Sequence, residues 1–250
     1  KTPMSILILG SGLVTAPLIK YLNDKQYNVT VASRTLSKIE KITSDLDHVT
    51  AVECDCTNES QLETLVQEND VVVSMLPYIY HKIPFDLCLK HNKHFLSTSY
   101  TQDHMKERLD LVVEKGLVVV NEAGLYPGLE TASIMREVDR LAGDGFRIDT
   151  LTTFCGGIPA PDSNDNPFGY KFSWAPRGVL LAERNGASFL VDGEVLNFDT
   201  RVDVFGYDFS EDFGGDIGKL RGIANRDSIK FIDLYRIQEA KTFVRGTLRF

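Results

Sequence analysis

The sequence predicts an α/β fold: a Rossmann-type, doubly wound parallel sheet followed by a second α+β domain with a largely antiparallel sheet. Three observations carry this. Six strand-like apolar segments, at 6–9, 28–32, 50–53, 71–75, 94–97 and 117–120, alternate with helix-length segments, and such alternation forces crossover connections and a parallel sheet. The first strand, Ile6-Leu7-Ile8-Leu9, runs straight into the glycine turn Gly10-Ser11-Gly12. From residue 155 onward the alternation gives way to short period-two runs among Gly, Pro, Asn and aromatics, which is antiparallel character.

The first turn is the most informative element. Gly10 permits the tight turn, and Gly12 lets the backbone approach a pyrophosphate whose charge is met by unpaired amides at the start of the helix over 13–22. Ser11, Leu13 and Val14 complete this candidate cofactor loop. The third glycine of the dinucleotide fingerprint is missing, but Thr15 and Ala16 are small, and Pro17 is tolerated early in a helix. A plain strand-turn-helix is the alternative reading.

The second strand ends in Ser33-Arg34-Thr35, where an NAD site usually places an acidic residue for the ribose hydroxyls. The Arg34 guanidinium offers paired donors to a 2'-phosphate, and Ser33 and Thr35 add hydroxyls, so NADP/NADPH is the predicted cofactor; the alternative is a solvated loop arginine. After the third strand, Asp55 can accept from an adenine amino group or cap a turn. After the fourth, Leu76 and Pro77 can shape a nicotinamide pocket or simply stiffen the loop.

The helices carry boundary signals. Thr35 or Ser37 can cap a helix over 38–44, Thr57 or Asn58 one over 59–68, and Thr101 one over 102–115 that Gly116 closes. A further helix over 129–141, the breaker Gly143-Asp144-Gly145 and a strand over 146–154 mark a new unit. The expected division is a nucleotide-binding domain at 1–125 and a substrate-binding and dimerisation domain at 126–250.

Composition excludes several classes. A chain of 250 residues, 43% apolar, buries a sizeable core, and a net charge of -8 with a pI near 5.2 argues against a nucleic-acid surface. The longest apolar runs are strand-sized, far short of the roughly 20 residues of a membrane span. With no secretory segment in the sequence at hand, the expected setting is cytoplasmic. Cys54, Cys56, Cys88 and Cys155 lack metal-ligand spacing and read as reduced thiols.

Several segments together resemble the saccharopine reductase family, the NADP-dependent, glutamate-forming saccharopine dehydrogenases. They are Leu9-Gly10-Ser11-Gly12-Leu13-Val14-Thr15, Ser74-Met75-Leu76-Pro77-Tyr78, Ser97-Thr98-Ser99-Tyr100 and Asn121-Glu122-Ala123-Gly124-Leu125 in the first half. The second half adds Cys155-Gly156-Gly157-Ile158-Pro159-Ala160-Pro161, Asp165-Asn166-Pro167-Phe168-Gly169-Tyr170, Asn225-Arg226-Asp227-Ser228 and Arg245-Gly246-Thr247-Leu248-Arg249. The resemblance implies a homodimeric enzyme of lysine metabolism. Its small amino-acid substrates, L-glutamate and 2-aminoadipate 6-semialdehyde, join as an imine that NADPH reduces to saccharopine.

The same resemblance implies the substrate-side residues. Ser99, Tyr100, Leu125 and Arg226 are expected to contact substrate, with Arg226 as a carboxylate clamp or else paired to Asp227. Tyr100 is expected to donate a proton or hydrogen bond, or only to pack. Cys155 is expected to line the pocket as a neutral thiol, and His81 to serve the start of a helix.

Three departures from the family pattern stand out. Tyr126, in Gly124-Leu125-Tyr126-Pro127-Gly128, stands where the family commonly has an aspartate at the substrate, and Thr131 stands in place of a histidine. The stretch 199–224 also differs, and family members commonly run on past Arg-Gly-Thr-Leu-Arg. The alternatives are therefore an NADPH-binding paralogue with impaired catalysis, or a reductase of another amino-acid-derived imine.

Overall fold

Polar punctuation between apolar strands sets the architecture of this protein, a computed structural model that describes residues 4–182 and 184–250. The chain divides into two units, Lys1–Glu130 and Thr131–Phe250, with the break in the first turn of a helix.

In the first unit, strands β1 (Ser5–Leu9), β2 (Asn28–Ser33), β3 (Val49–Glu53), β4 (Val71–Ser74), β5 (His94–Ser97) and β6 (Val119–Val120) form one sheet in the order β3-β2-β1-β4-β5-β6. Every neighbouring pair is parallel. The order reverses between β1 and β4, the switch point at which such sheets open a ligand crevice beyond the carboxyl ends of their strands.

Alternation along each strand builds two cores. Ile6, Ile8, Val29 and Val31 face α1 (Ala16–Asp24) and α2 (Leu36–Thr43) through Ile19, Leu22 and Ile39. Leu7, Leu9, Val72 and Phe95 face α3 (Glu59–Glu68) and α4 (Lys82–His91) through Leu62, Val66, Phe85 and Cys88. The first face continues past α1 into a cavity of about 820 Å³ whose walls include Val71, Val73, Met75, Leu96 and Tyr21.

Several boundaries differ from expectation. The helix expected over 102–115 is two short ones, α5 (Asp103–Lys106) and α6 (Leu109–Glu114), broken where Arg108 leaves helical geometry and donates to the His104 carbonyl at 2.8 Å. Thr35 makes no side-chain cap, and the Thr101 hydroxyl donates instead to Glu122 Oε1 at 3.4 Å. Asn58 does cap α3, accepting from the Gln61 amide. The first helix starts at Ala16, leaving Leu13–Thr15 in the turn.

The second unit opens with α7 (Leu129–Gly143), then β7 (Thr150–Phe154), shorter than the expected 146–154 because Phe146 and Arg147 follow the Gly143-Asp144-Gly145 breaker as loop. After α8 (Pro176–Ala182) come β8 (Ala187–Val191), β9 (Glu194–Phe198), α9 (Arg201–Val204), β10 (Glu211–Asp212), β11 (Lys219–Ala224), β12 (Arg226–Asp227), α10 (Ile232–Tyr235) and β13 (Thr242–Arg249). β13 is the hub: β11 and β8 pair with it antiparallel, and β8 in turn pairs antiparallel with β9. Two pairings, β13 with β7 and β12 with β8, are parallel. Phe189, stacked on Phe198 and edge-on to Tyr207 and Phe209, is fully buried at the centre.

Candidate functional site

The glycine turn follows β1 directly. Gly10 has φ +108°, a conformation costly for any residue with a Cβ, and its amide donates to the Ala32 carbonyl at 2.8 Å, tying the ends of β1 and β2 together. Ser11 Oγ donates to Ser33 Oγ at 3.0 Å, so two predicted cofactor residues touch. Around Gly12 a Cβ would meet nothing within 4 Å, and Leu13 and Val14 beside it are exposed.

The start of α1 is prepared for an anion. Thr15 caps it in position but not with its side chain, and its fully buried hydroxyl has no hydrogen-bond partner among the described residues. Open space at Gly12 and an unsatisfied hydroxyl at the start of α1 fit a pyrophosphate at a helix N-terminus.

Arg34 and Thr35 are exposed at the end of β2, and Arg34 forms no salt bridge among the described residues. Asp55 Oδ1 accepts from the Thr57 amide at 2.9 Å and the Thr57 hydroxyl at 2.8 Å. These bonds, and more weakly the charge of Arg34, hold its carboxyl below the usual range. Its local role is thus the turn cap. Leu76 packs against the core, whereas Pro77 is exposed and leads into a 3₁₀ turn at Tyr78–Tyr80.

Beyond β5, Ser99 and Tyr100 are half-buried, and the backbone there is pinned: the Glu122 amide donates to the Ser99 carbonyl at 3.0 Å, and the Thr101 amide donates to Glu122 Oε1 at 3.1 Å. The loop after β6 holds Leu125, exposed, and Tyr126, half-buried. Its closure depends on Gly128, at φ +136°, where a Cβ would stand 2.2 Å from the Glu122 carbonyl oxygen. The Leu129 amide completes it by donating to the Gly124 carbonyl at 2.9 Å.

Composition and motif spacing gave no sign of one buried chain. His81 Nδ1 lies 2.9 Å from Ser74 Oγ, and its Nε2 lies 2.8 Å from Ser99 Oγ. His81 stands at the start of α4, as expected, its carbonyl accepting from the Phe85 amide at 3.1 Å, while its side chain makes no cap there and turns to the two serines instead. Burial, and secondarily the neighbouring His104, pull its pKa down to about 4. The available signal was Ser74 itself, a polar residue closing the Val71-Val72-Val73 run of a central strand.

Cys155 and Arg226 belong to the second unit. Cys155 is half-buried just past β7, its amide donating to the Gly246 carbonyl at 3.2 Å. Arg226 is exposed, with φ +60° and its amide bonded to the Gly186 carbonyl at 3.2 Å. Both are anchored beside neighbouring residues of β13, because the amide of Asn225 donates to the Arg245 carbonyl at 3.0 Å.

With this geometry in view, comparison with known proteins is decisive. Residues 6–126 match the family model of the saccharopine dehydrogenase NADP binding domain, and residues 124–250 that of the saccharopine dehydrogenase C-terminal domain. The chain belongs to the saccharopine dehydrogenase family. It is 38% identical over 249 residues to the saccharopine dehydrogenase [NADP(+), L-glutamate-forming] of Pyricularia oryzae, covering 98% of this chain and 54% of that protein. It is 34% identical to the mitochondrial alpha-aminoadipic semialdehyde synthase of Rattus norvegicus, covering 100% of this chain and 27% of that protein.

Among solved structures, the apo L-Glu-forming saccharopine dehydrogenase of Saccharomyces cerevisiae superposes with a TM-score of 0.87 at 36% identity, covering 99% of this chain and 55% of that one. The chain thus spans about half the length of its fungal relatives. The expectations of a Rossmann-type sheet, a second sheet domain and this family all hold. No described helix is long and apolar enough to cross a membrane.

Proposed function

We propose that this chain carries the reductase site of saccharopine formation, binding NADPH and reducing the imine of L-glutamate and 2-aminoadipate 6-semialdehyde, or running the reverse oxidation. The observation that carries the reading is the open Gly10–Val14 turn with its unsatisfied Thr15 hydroxyl, on a chain whose two halves both match this family. Gly10, Ser11, Gly12, Leu13 and Val14 would hold the pyrophosphate, and Ser33, Arg34 and Thr35 the 2'-phosphate. Leu76 and Pro77 would flank the nicotinamide end, with Asp55 beside the adenine while it caps its own turn.

Bound there, NADPH supplies the hydride that the imine carbon must receive. The protein's own task is to bind the substrate carboxylates, orient the imine and deliver a proton to its nitrogen. Arg226 suits a carboxylate as a paired donor, and the Tyr100 Oη hydroxyl can donate toward the imine nitrogen. Ser99 and Leu125 line the substrate side, and Cys155 shapes it as a neutral thiol. Domain limits of 1–125 and 126–250, a homodimer and a cytosolic setting complete the reading; Cys54, Cys56 and Cys88 are buried free thiols, which suits a reducing compartment.

A second reading rests on Tyr126. Where the family commonly places an aspartate, a tyrosine cannot offer a carboxylate charge at neutral pH, so the chain would bind NADPH without turnover. Glutamate-dependent NADPH oxidation, measured with the semialdehyde against a control lacking glutamate, decides. Oxidation only with glutamate supports the reductase; NADPH binding without oxidation favours the second reading.

A further inference from the structure

The chain Ser74, His81 and Ser99 has a direction that follows from counting its hydrogens. Ser74 and His81 have no exposed surface, and Ser99 is half-buried at the end of β5. With its pKa near 4 the imidazole is neutral at neutral pH, so one ring nitrogen donates and the other accepts.

Suppose Nδ1 carried the hydrogen. It would donate to Ser74 Oγ, and the Ser74 hydroxyl hydrogen would be left without an acceptor, because His81 is the one partner of Ser74 Oγ among the described residues. A buried donor left unpaired bears its full desolvation penalty. In the opposite arrangement the Ser74 hydroxyl donates to Nδ1, Nε2–H donates to Ser99 Oγ, and both buried donors are satisfied. Ser99 then accepts from the imidazole, and its own hydrogen points elsewhere.

We propose that His81 is a positioning residue that, held by Ser74, fixes the Ser99 hydroxyl as a hydrogen-bond donor toward a carboxylate oxygen of the bound amino acid. The proposal rests on the reading of Ser99 as a substrate-side residue. It gives the buried histidine a specific role: the tautomer set at the floor of the sheet decides which groups the strand end can recognise. A neutral relay does so without placing a charge beside the reacting imine.

The test uses the full chain labelled with ¹⁵N-histidine. The expected result is the Nε2–H tautomer of His81, with Nδ1 bare, between pH 6 and 8. A dominant Nδ1–H tautomer overturns the proposal. Ser74→Ala should mix the two tautomers and raise the KM for glutamate about 3- to 10-fold, with kcat and the KM for NADPH nearly unchanged. Ser99→Ala should raise the same KM at least as much.

If Ser74→Ala leaves both tautomer and KM unaltered, or raises both KM values together with a lower melting temperature, the relay is structural and the proposal fails. Failure of the reductase reading is separable. It would show as absent turnover in the unsubstituted chain, while the tautomer measurement still decides the direction of the relay.

Discussion

Acidification should destabilise the first unit through His81, and the size of the effect follows from its burial. In the unfolded chain the imidazole has its ordinary pKa of 6.5, and in the folded chain about 4, chiefly because burial penalises the cation. The unfolded state therefore binds more protons between these values, and stability falls as pH drops from 6.5 through 4. The slope approaches 1.4 kcal/mol per pH unit, which amounts to about 3 kcal/mol lost by pH 4. That is a large fraction of the roughly 5–15 kcal/mol of a typical domain.

His104, edge-on to Phe85 and also held below its usual pKa by burial, titrates in the same direction. Lys82, Asp86, Glu107 and Arg108 surround it. The assay must isolate His81 from these and from surface carboxylates. Amide hydrogen exchange of β4 and β5 reports this unit, whereas the single tryptophan, Trp174, lies in the other. Comparing the unsubstituted chain with His81→Gln, the difference in exchange stability should narrow or reverse by about 3 kcal/mol between pH 7 and 4. Parallel pH curves for the two proteins would refute the argument.

Arg34→Ala should weaken NADPH binding by roughly 10- to 100-fold while leaving NADH binding nearly unaltered, as titrations with both cofactors would show; equal losses for the two would remove Arg34 from 2'-phosphate recognition. Gly128→Ala combines φ +136° with a Cβ only 2.2 Å from the Glu122 carbonyl oxygen, so the loop should rearrange at a cost of about 3 kcal/mol or more, read as a lower melting temperature. Tyr126→Asp should raise kcat for glutamate-dependent NADPH oxidation about tenfold or more if the family's carboxylate assists proton handling; a lower kcat would mean the tyrosine itself serves this site.

Much of the fold was legible because its determinants are local. Period-two burial in Ile6-Leu7-Ile8-Leu9 requires a strand covered on both faces, and Gly10 directly after it requires the turn. Where the structure differs at Thr101, the competing interaction is long-range. Thr101 gives its hydroxyl to Glu122, 21 residues away, instead of capping, whereas the break near Arg108 in the helix expected over 102–115 goes with a local bond to the His104 carbonyl. The parallel strand pairs of the second unit were equally hidden, since β7 meets β13 only after some 90 residues of intervening chain. In the same way no local pattern reveals that Ser74, His81 and Ser99 meet, because a sheet and a helix N-terminus must fold before they do.

The second unit solves a different positioning problem. Cys155 and Arg226 are far apart in sequence, yet the amides of Cys155 and of Asn225 are bonded to adjacent carbonyls of β13, those of Gly246 and Arg245. Arg226 also holds φ +60°, which a side chain adopts only when its surroundings over-determine it. Here they do: its amide is bonded to Gly186, and it pairs in register with Ala187 of β8. Were Arg226 to meet a carboxylate as proposed, its backbone would have little ordering left to lose, and the cost would fall on the side chain alone. If Arg226 is the proposed carboxylate clamp, β8 and β13 are the strands that would hold its backbone in place.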